Sequence, residues 1–214
     1  MFAIPGPASI LDSEVHLWRI SLDGTPGRLR AVCRALLCTL LARYTGCHPA
    51  EIRFVHGPRG KPSLDARFRP DGIEFNVSHS GGTALIALAK GWPVGIDVER
   101  ISEVPGAELI ARRWFSPEED ESILSLPAGA RAVAFCRCWT RKEAVVKAIG
   151  GSMAELSRAV TVSTDPREAA RIVAMPSVAG IAEWHLEDVA AGDGFAAALC
   201  YGGARAGIRM WEAS

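Results

Sequence analysis

Neither sign of charge is in excess in this sequence: Lys and Arg number 24, Asp and Glu number 24, and the formal net charge is zero. A chain that binds nucleic acid ordinarily carries a basic surplus. Global charge therefore gives no support for that class, although a local basic pocket stays compatible with it. No apolar run is long enough to span a bilayer. The opening stretch, MFAIPGPASILDSEVHLW, has no positive segment ahead of its apolar residues and is interrupted by Asp12 and Glu14. Neither a membrane span nor a signal peptide is expected. The six cysteines lack the spacing of a disulfide framework or a zinc finger: Cys33 and Cys38 share one helical pattern, and Cys136 and Cys138 form C-x-C in another. They read as buried, reduced thiols of a cytoplasmic protein. Apolar residues, by contrast, make up 49% of the 214 positions, enough for one large domain or two small ones.

The stretch TPGRLRAVCRALLCTLLARYTG reads as a long helix, capped by Thr25, opened by Pro26 and ended by Gly46. Leu29, Val32, Cys33, Leu36, Leu37, Leu40, Leu41 and Tyr44 share one face, with Arg30 and Arg34 beside it. After the Gly/Pro-rich HGPRGKPSL come three short runs, GIEFNVSH, TALIALAK and VGIDVER, separated by glycine-containing turns; they predict an antiparallel meander. SPEE at Ser116–Glu119 is a capping box opening a second helical region, which Pro127 breaks. A longer helix then runs through Phe135, Trp139, Val146 and Ile149 to Gly150-Gly151, and strands are expected near 160–162, 171–175, 182–186, 195–201 and 207–211. FNVSHSGGTALIALAKG and WHLEDVAAGDGFAAALCYGG both read as strand, polar tip, strand, glycine, each after a long helix. This is a hint of internal duplication that any pair of hairpins would also produce.

In VGIDVER, Val94, Ile96 and Val98 alternate with Asp97 and Glu99. Adjacent carboxylates on one strand repel each other unless neutralised. A hard divalent cation with oxygen ligands would do so, and so, more simply, would solvent at an exposed edge. In WTRKEAVVKAIGGS, Lys142 falls in line with the apolar row, while Thr140, Glu143 and Lys147 stack on the next one. Glu143 and Lys147 are either a surface ion pair or a third carboxylate and a cation turned toward Asp97. FNVSHS places Asn76 and Ser78 on one strand face with His79 at its tip. PRGKP places Arg59 and Lys61 on a stiff loop beside Pro62. Together these offer three acids for one metal ion and several donors and cations for more than one phosphate.

GKP, NVSHS, VGIDVER and WTRKEAVVKAIGGS occur in the order and approximate spacing of the 4′-phosphopantetheinyl transferases, and the sequence resembles that family from about Arg28 to about Tyr201. It looks like the monomeric type that activates polyketide, peptide and fatty-acid synthases. The resemblance implies an α+β fold of two similar α/β halves related by pseudo-twofold symmetry, each a long helix packed on an antiparallel sheet, here 1–100 and 101–214. It implies transfer of the phosphopantetheine arm of coenzyme A to a serine of an apo acyl or peptidyl carrier protein, with release of adenosine 3′,5′-bisphosphate. Mg²⁺, or Mn²⁺ in its place, would be held by Asp97, Glu99 and Glu143, and Lys147 would meet the pyrophosphate. Arg34, Arg59, Lys61, Pro62, Asn76, Ser78, His79 and Lys142 would bind coenzyme A, with Ser78, His79 and Lys61 near the ribose 3′-phosphate and Lys142 in the cleft between the halves. The serine proton would go to Glu143 or to a water held by Glu99. A cytoplasmic monomer with no nucleic-acid or membrane partner is expected. One departure is the segment ISLDGTPGRLR, which is shorter than in relatives and lacks Phe, Tyr and Trp; Arg28 and Arg30 are placed to substitute for the missing cations. Two other readings stand beside this one, a different Mg²⁺-dependent enzyme such as a nuclease and a relative that binds coenzyme A without turning it over.

Overall fold

Two long helices and two main sheets stack as helix, sheet, sheet, helix in the computed structural model, which describes residues 10, 12–22, 26–57, 59–68, 72–102, 107–165 and 167–213. The strands are β1 (Glu14–Ser21), β2 (Phe54–His56), β3 (Pro62–Leu64), β4 (Ile73–Ser80), β5 (Thr83–Lys90), β6 (Val94–Arg100), β7 (Thr161–Val162), β8 (Ile172–Ala174), β9 (Trp184–Asp188), β10 (Phe195–Gly202) and β11 (Gly207–Ala213). The helices are α1 (Pro26–Thr45), α2 (Ala107–Trp114), α3 (Pro117–Leu124), α4 (Ala128–Ala148) and α5 (Met153–Leu156).

Local chemistry places most of these elements where the sequence predicts them. Gly46 ends α1 with a φ of 70°, and Gly150 ends α4 with a φ of 73°, a left-handed conformation open to glycine at little cost. Ser116 and Glu119 form the expected capping box of α3. The Thr25 cap lies outside the described residues. β1, β2, β3, α2 and α5 have no counterpart among the predicted elements. β1 alternates polar and apolar, but the alternation changes phase between Leu17 and Trp18, so Val15 and Leu17 face one cluster and Trp18 and Ile20 the other.

The first sheet has the order β11-β1-β5-β4 and the second β6-β10-β9. α1 covers the outer face of the first sheet, packing Leu36, Leu40 and Leu41 with Trp18, Phe75, Ile86 and Leu88. α4 covers the second, packing Ala134, Val145 and Ala148 with Leu186, Ala196 and Cys200. The inner faces meet through Leu17, Leu85 and Ala87 against Ile96, Val98 and Leu199. Burying each large aliphatic side chain here is worth about 1.5–3 kcal/mol. All six cysteines are free thiols. No helix among the described residues is long and apolar enough to cross a membrane.

Two expectations about connectivity change. β4 and β5 form the predicted hairpin, but β6 leaves the meander and pairs antiparallel with β10, Asp97 opposite Ala198. Sheet membership also does not follow a division at residue 100, because β6 joins the second sheet and β11 returns to run parallel with β1. The physical reason lies in the two faces of β6. Val94, Ile96 and Val98 fill the space between the sheets, while Gly95 lies against α4. A Cβ at Gly95 would lie 2.2 Å from the Ala144 carbonyl oxygen and 2.4 Å from the Ala148 amide nitrogen. The helix can approach β6 this closely only because that position has no side chain.

β6 is an edge strand, and its outward N–H groups are satisfied by side chains. Asn76 Oδ1 accepts from the Ile96 N–H (2.9 Å), Ser78 Oγ from the Val98 N–H (3.4 Å) and Ser80 Oγ from the Arg100 N–H (3.1 Å). Every second residue of β4 therefore meets every second amide of β6. This polar seam covers the edge and joins the sheets.

The rotation of α4 is set by two buried cations. Arg141 donates to both carboxylate oxygens of Asp188 (2.9 and 2.6 Å) and to the Ser163 carbonyl. Lys142, predicted to point into a coenzyme A cleft, is fully buried and gives its ammonium to Glu119 (2.6 Å) and the Val160 carbonyl. Glu119, already the capping-box acid, also accepts from the Val162 N–H (2.8 Å). A lysine in line with the apolar row is thus an internal anchor, because a buried carboxylate was waiting for it.

Gly95→Ala should lower stability by at least about 1–3 kcal/mol, the usual cost of overpacking, a fall in Tm of roughly 2–12 °C for a chain of this size. Gly129→Ala, at an exposed helical position where a Cβ meets nothing within 4 Å, should hold or raise Tm. Thermal melts of the two variants check this, and an unchanged Tm for Gly95→Ala would contradict the close approach of α4.

Candidate functional site

Because α4 lies so near β6, the row of Glu143 and Lys147 stands over the row of Asp97 and Glu99. Lys147 Nζ donates to Asp97 Oδ1 at 2.6 Å and lies 3.6 Å from Glu143 Oε2, bridging strand and helix. Ser78 Oγ donates to the same Asp97 oxygen (2.7 Å), and Ser80 Oγ donates to Glu99 Oε2 (2.7 Å). Of the predicted residues the structure therefore brings together Asp97, Glu99, Glu143, Lys147 and Ser78.

The electrostatics follow from this crowding. Burial pushes the Asp97 carboxyl up, against the pull of the Lys147 ammonium and the Ser78 bond. Burial also raises Glu99, with the Asp97 charge adding to it and Ser80 opposing. Glu143 is raised by burial, then pulled down by Lys147 and pushed up by Asp97 and Glu99. Burial alone would lower Lys147, but Asp97 and Glu143 outweigh it and hold the ammonium above its ordinary range. Three carboxylates thus share one field with one resident cation.

The donor set suits a hard divalent cation. Asp97 Oδ2 is buried without a hydrogen-bond partner, an acidic oxygen left over in a site of oxygen donors. Among the described residues no group of three or more His, Cys, Asp or Glu is close enough to share an ion as it stands. The Lys147 ammonium bridges Asp97 and Glu143 instead. Beside Glu99 opens a cavity of about 410 Å³, with Ser80 and Arg100 at one side and Ile110, Phe135 and Trp139 forming an apolar wall.

The other predicted residues lie elsewhere. Lys61 Nζ donates to the Lys147 carbonyl (2.7 Å) and the Val94 carbonyl (3.0 Å), clasping the end of α4 to the start of β6. Burial lowers its pKa to about 8. Arg59 pairs with Glu155 (2.6 Å), and Pro62 opens β3 opposite His56. Arg34 is exposed on α1 with its guanidinium 3.8 Å above the Phe54 ring. Asn76 belongs to the seam, and His79 is exposed near the end of β4, close enough for its charge to act on Glu99. Gly95 and Ser80 are the contributors that sequence reasoning missed. Ser80 was within reach of it, since N-x-S-x-S is itself an alternation, whereas the need for glycine at 95 appears only once α4 is in place.

Residues 93–200 match the family model of the 4′-phosphopantetheinyl transferase superfamily. A 4′-phosphopantetheinyl transferase of Nostoc sp. is 31% identical over 97% of this chain and 96% of its own. One of Bacillus subtilis is 36% identical over 54% of this chain and 49% of its own. Among solved structures, a holo-(acyl-carrier-protein) synthase of Bacillus anthracis in complex with coenzyme A (3′,5′-ADP) superposes with a TM-score of 0.42 at 23% identity, covering 51% of this chain and 94% of that one. With one relative aligned along nearly its whole length and the family model spanning the strand and helix that build the acidic site, this chain belongs to the 4′-phosphopantetheinyl transferase superfamily.

Proposed function

We propose that this protein transfers the 4′-phosphopantetheine arm of coenzyme A to a serine of an apo acyl or peptidyl carrier protein, and that it does so with Mg²⁺, for which Mn²⁺ can substitute. The observation that carries this reading is the Lys147 bridge between Asp97 and Glu143, with Glu99 near enough to feel their charges and one buried carboxylate oxygen of Asp97 unused. The two α/β halves with pseudo-twofold symmetry belong to the same proposal. Each long helix precedes a strand hairpin, β4–β5 after α1 and β9–β10 after α4.

Asp97 and Glu99, with Glu143, are the residues that would hold the cation. When bound, such an ion neutralises pyrophosphate charge and polarises the bond that breaks. The chain's own groups do the rest. The serine oxygen forms a bond to the phosphorus carrying the pantetheine arm, and the bond from that phosphorus to the pyrophosphate bridge breaks. Lys147 stabilises the negative charge that gathers on adenosine 3′,5′-bisphosphate as it leaves. Glu143 takes the serine proton. Burial lifts its carboxyl toward working pH, whereas Glu99 already has one oxygen engaged by Ser80. His79, exposed beside the site, together with Arg59 on the loop ahead of Pro62, receives the adenosine and its 3′-phosphate, while Ser78, Lys61 and Asn76, whose polar groups are engaged within the protein, hold the strands that present them. Arg34 adds a cation from α1. The apolar wall of Ile110, Phe135 and Trp139 gives the pantetheine arm a surface on which to lie.

Lys147→Ala should slow single-turnover transfer to an apo carrier protein by about a hundredfold to a thousandfold, the typical loss when a donor to a growing charge is removed. Lys147→Arg should recover part of it. Mass spectrometry of the carrier protein follows the reaction, and a near-normal rate for Lys147→Ala would remove this lysine from the chemistry.

Glu143→Gln should abolish transfer yet raise the Tm of the metal-free protein at pH 8 by about 2–4 °C, roughly 1 kcal/mol. The sign follows from the raised carboxyl. The folded state binds its proton more tightly than the unfolded state, so ionised Glu143 costs stability above its folded pKa and none below the ordinary value of 4.5. The gain should therefore vanish as pH falls toward that value. Melts of both proteins across pH 4–8 measure it, and a lower Tm for the variant at pH 8 would show the carboxylate to be a net stabiliser.

A further inference from the structure

The two serines of the seam each make a second bond, and the two pairs repeat one geometry. Ser78 Oγ accepts from the Val98 N–H and donates to the carboxylate of Asp97. Ser80 Oγ, two residues on, accepts from the Arg100 N–H at 3.1 Å and donates to the carboxylate of Glu99 at 2.7 Å. In both cases the hydroxyl is held by the amide of the residue after the acid. Its lone pair is fixed by that amide, so its single proton is aimed at the acid. Asp97 is also gripped by Lys147, whereas Ser80 is the only side-chain donor within hydrogen-bonding distance of Glu99 among the described residues. A glutamate has three side-chain torsions and loses its orientation readily unless something restrains it.

We propose that Ser80 is a positioning residue for the transfer reaction: held by the Arg100 amide, its hydroxyl turns the Glu99 carboxylate so that its other oxygen is presented to the cation. This rests on the reading of Asp97, Glu99 and Glu143 as the cation site. Outer partners of ligating carboxylates typically carry a tenfold to hundredfold effect on metal affinity. The same contact makes the site depend on both sheets, because the acid stands on β6 and its restraint on β4.

The test measures Mn²⁺ binding directly, from the electron paramagnetic resonance signal of free Mn²⁺, on wild-type protein and on Ser80→Ala, Ser80→Thr and Ser80→Cys, with a thermal melt of each. Ser80→Ala should bind Mn²⁺ about tenfold or more weakly, and Ser80→Thr, which keeps the hydroxyl, should bind within about threefold of wild type. Ser80→Cys keeps the volume with only weak hydrogen bonding, so it should share the defect, and it stands in for Ser80→Ala if that variant does not fold. At saturating Mn²⁺ the single-turnover rate of the weak binders should largely return. In a Glu99→Gln background, Ser80→Ala should cost little further affinity, since the acid through which it acts is already altered. A lower Tm with unchanged Mn²⁺ affinity in Ser80→Ala and Ser80→Cys would make Ser80 a seam residue only and overturn the inference, leaving the cation site standing. Absence of Mn²⁺ binding by the wild-type protein would instead overturn the cation reading, and this inference with it.

Discussion

Everything at the acidic site depends on how near α4 lies to β6. That spacing rests on the missing side chain of Gly95, which lets the Ala144 carbonyl and the Ala148 amide come within a few ångström of the strand. At an ordinary helix-to-sheet separation, Glu143 and Lys147 would face Asp97 and Glu99 across a gap that water would fill. At this separation the lysine reaches both strand and helix, and each carboxylate feels the others. The gain is a site in which charges interact in a medium less screening than water. The cost is several acids out of solvent, which only a cation can offset.

Approach alone does not decide what faces the strand; rotation of the helix does. Arg141 and Lys142, adjacent on α4 and both buried, reach different acids, Asp188 at the exposed end of β9 and the buried Glu119 on α3. Turning the helix would strand both cations in the core, a change worth several kcal/mol. The next row, Thr140, Glu143 and Lys147, is thereby fixed toward β6. The Lys61 clasp on the Lys147 carbonyl holds the last turn in the same way. Each of these polar contacts is local, yet together they hold the functional row as firmly as the apolar packing beneath it.

The seam between β4 and β6 solves a second problem. β6 has a bare edge, and a bare edge inside a fold leaves amides without partners. Three side chains at alternate positions supply those partners, and two of the three also touch an acid of the site. Structure and function share the same atoms here. This is why NVSHS reads equally well as a ligand-binding motif and as a piece of architecture.

Much of this was legible in one dimension. The helix ends at Gly46 and Gly150, the capping box at Ser116, the β4–β5 hairpin and the polar face of VGIDVER all follow from turn, cap and alternation rules that operate over a few residues. That the row of Glu143 and Lys147 faces the strand of Asp97 could be named from motifs in a family order, because those motifs carry chemistry as well as shape. The sequence could not show that Lys142 turns inward to Glu119 while Lys147 turns to Asp97, since both lysines sit on the same helix with similar neighbours and differ only in which buried acid each meets. Nor could it show that β6 leaves its hairpin neighbours to pair with β10, or that position 95 must lack a side chain. Pairing across a hundred residues and contact distances between elements are properties of the packed chain, and local propensity carries no record of them.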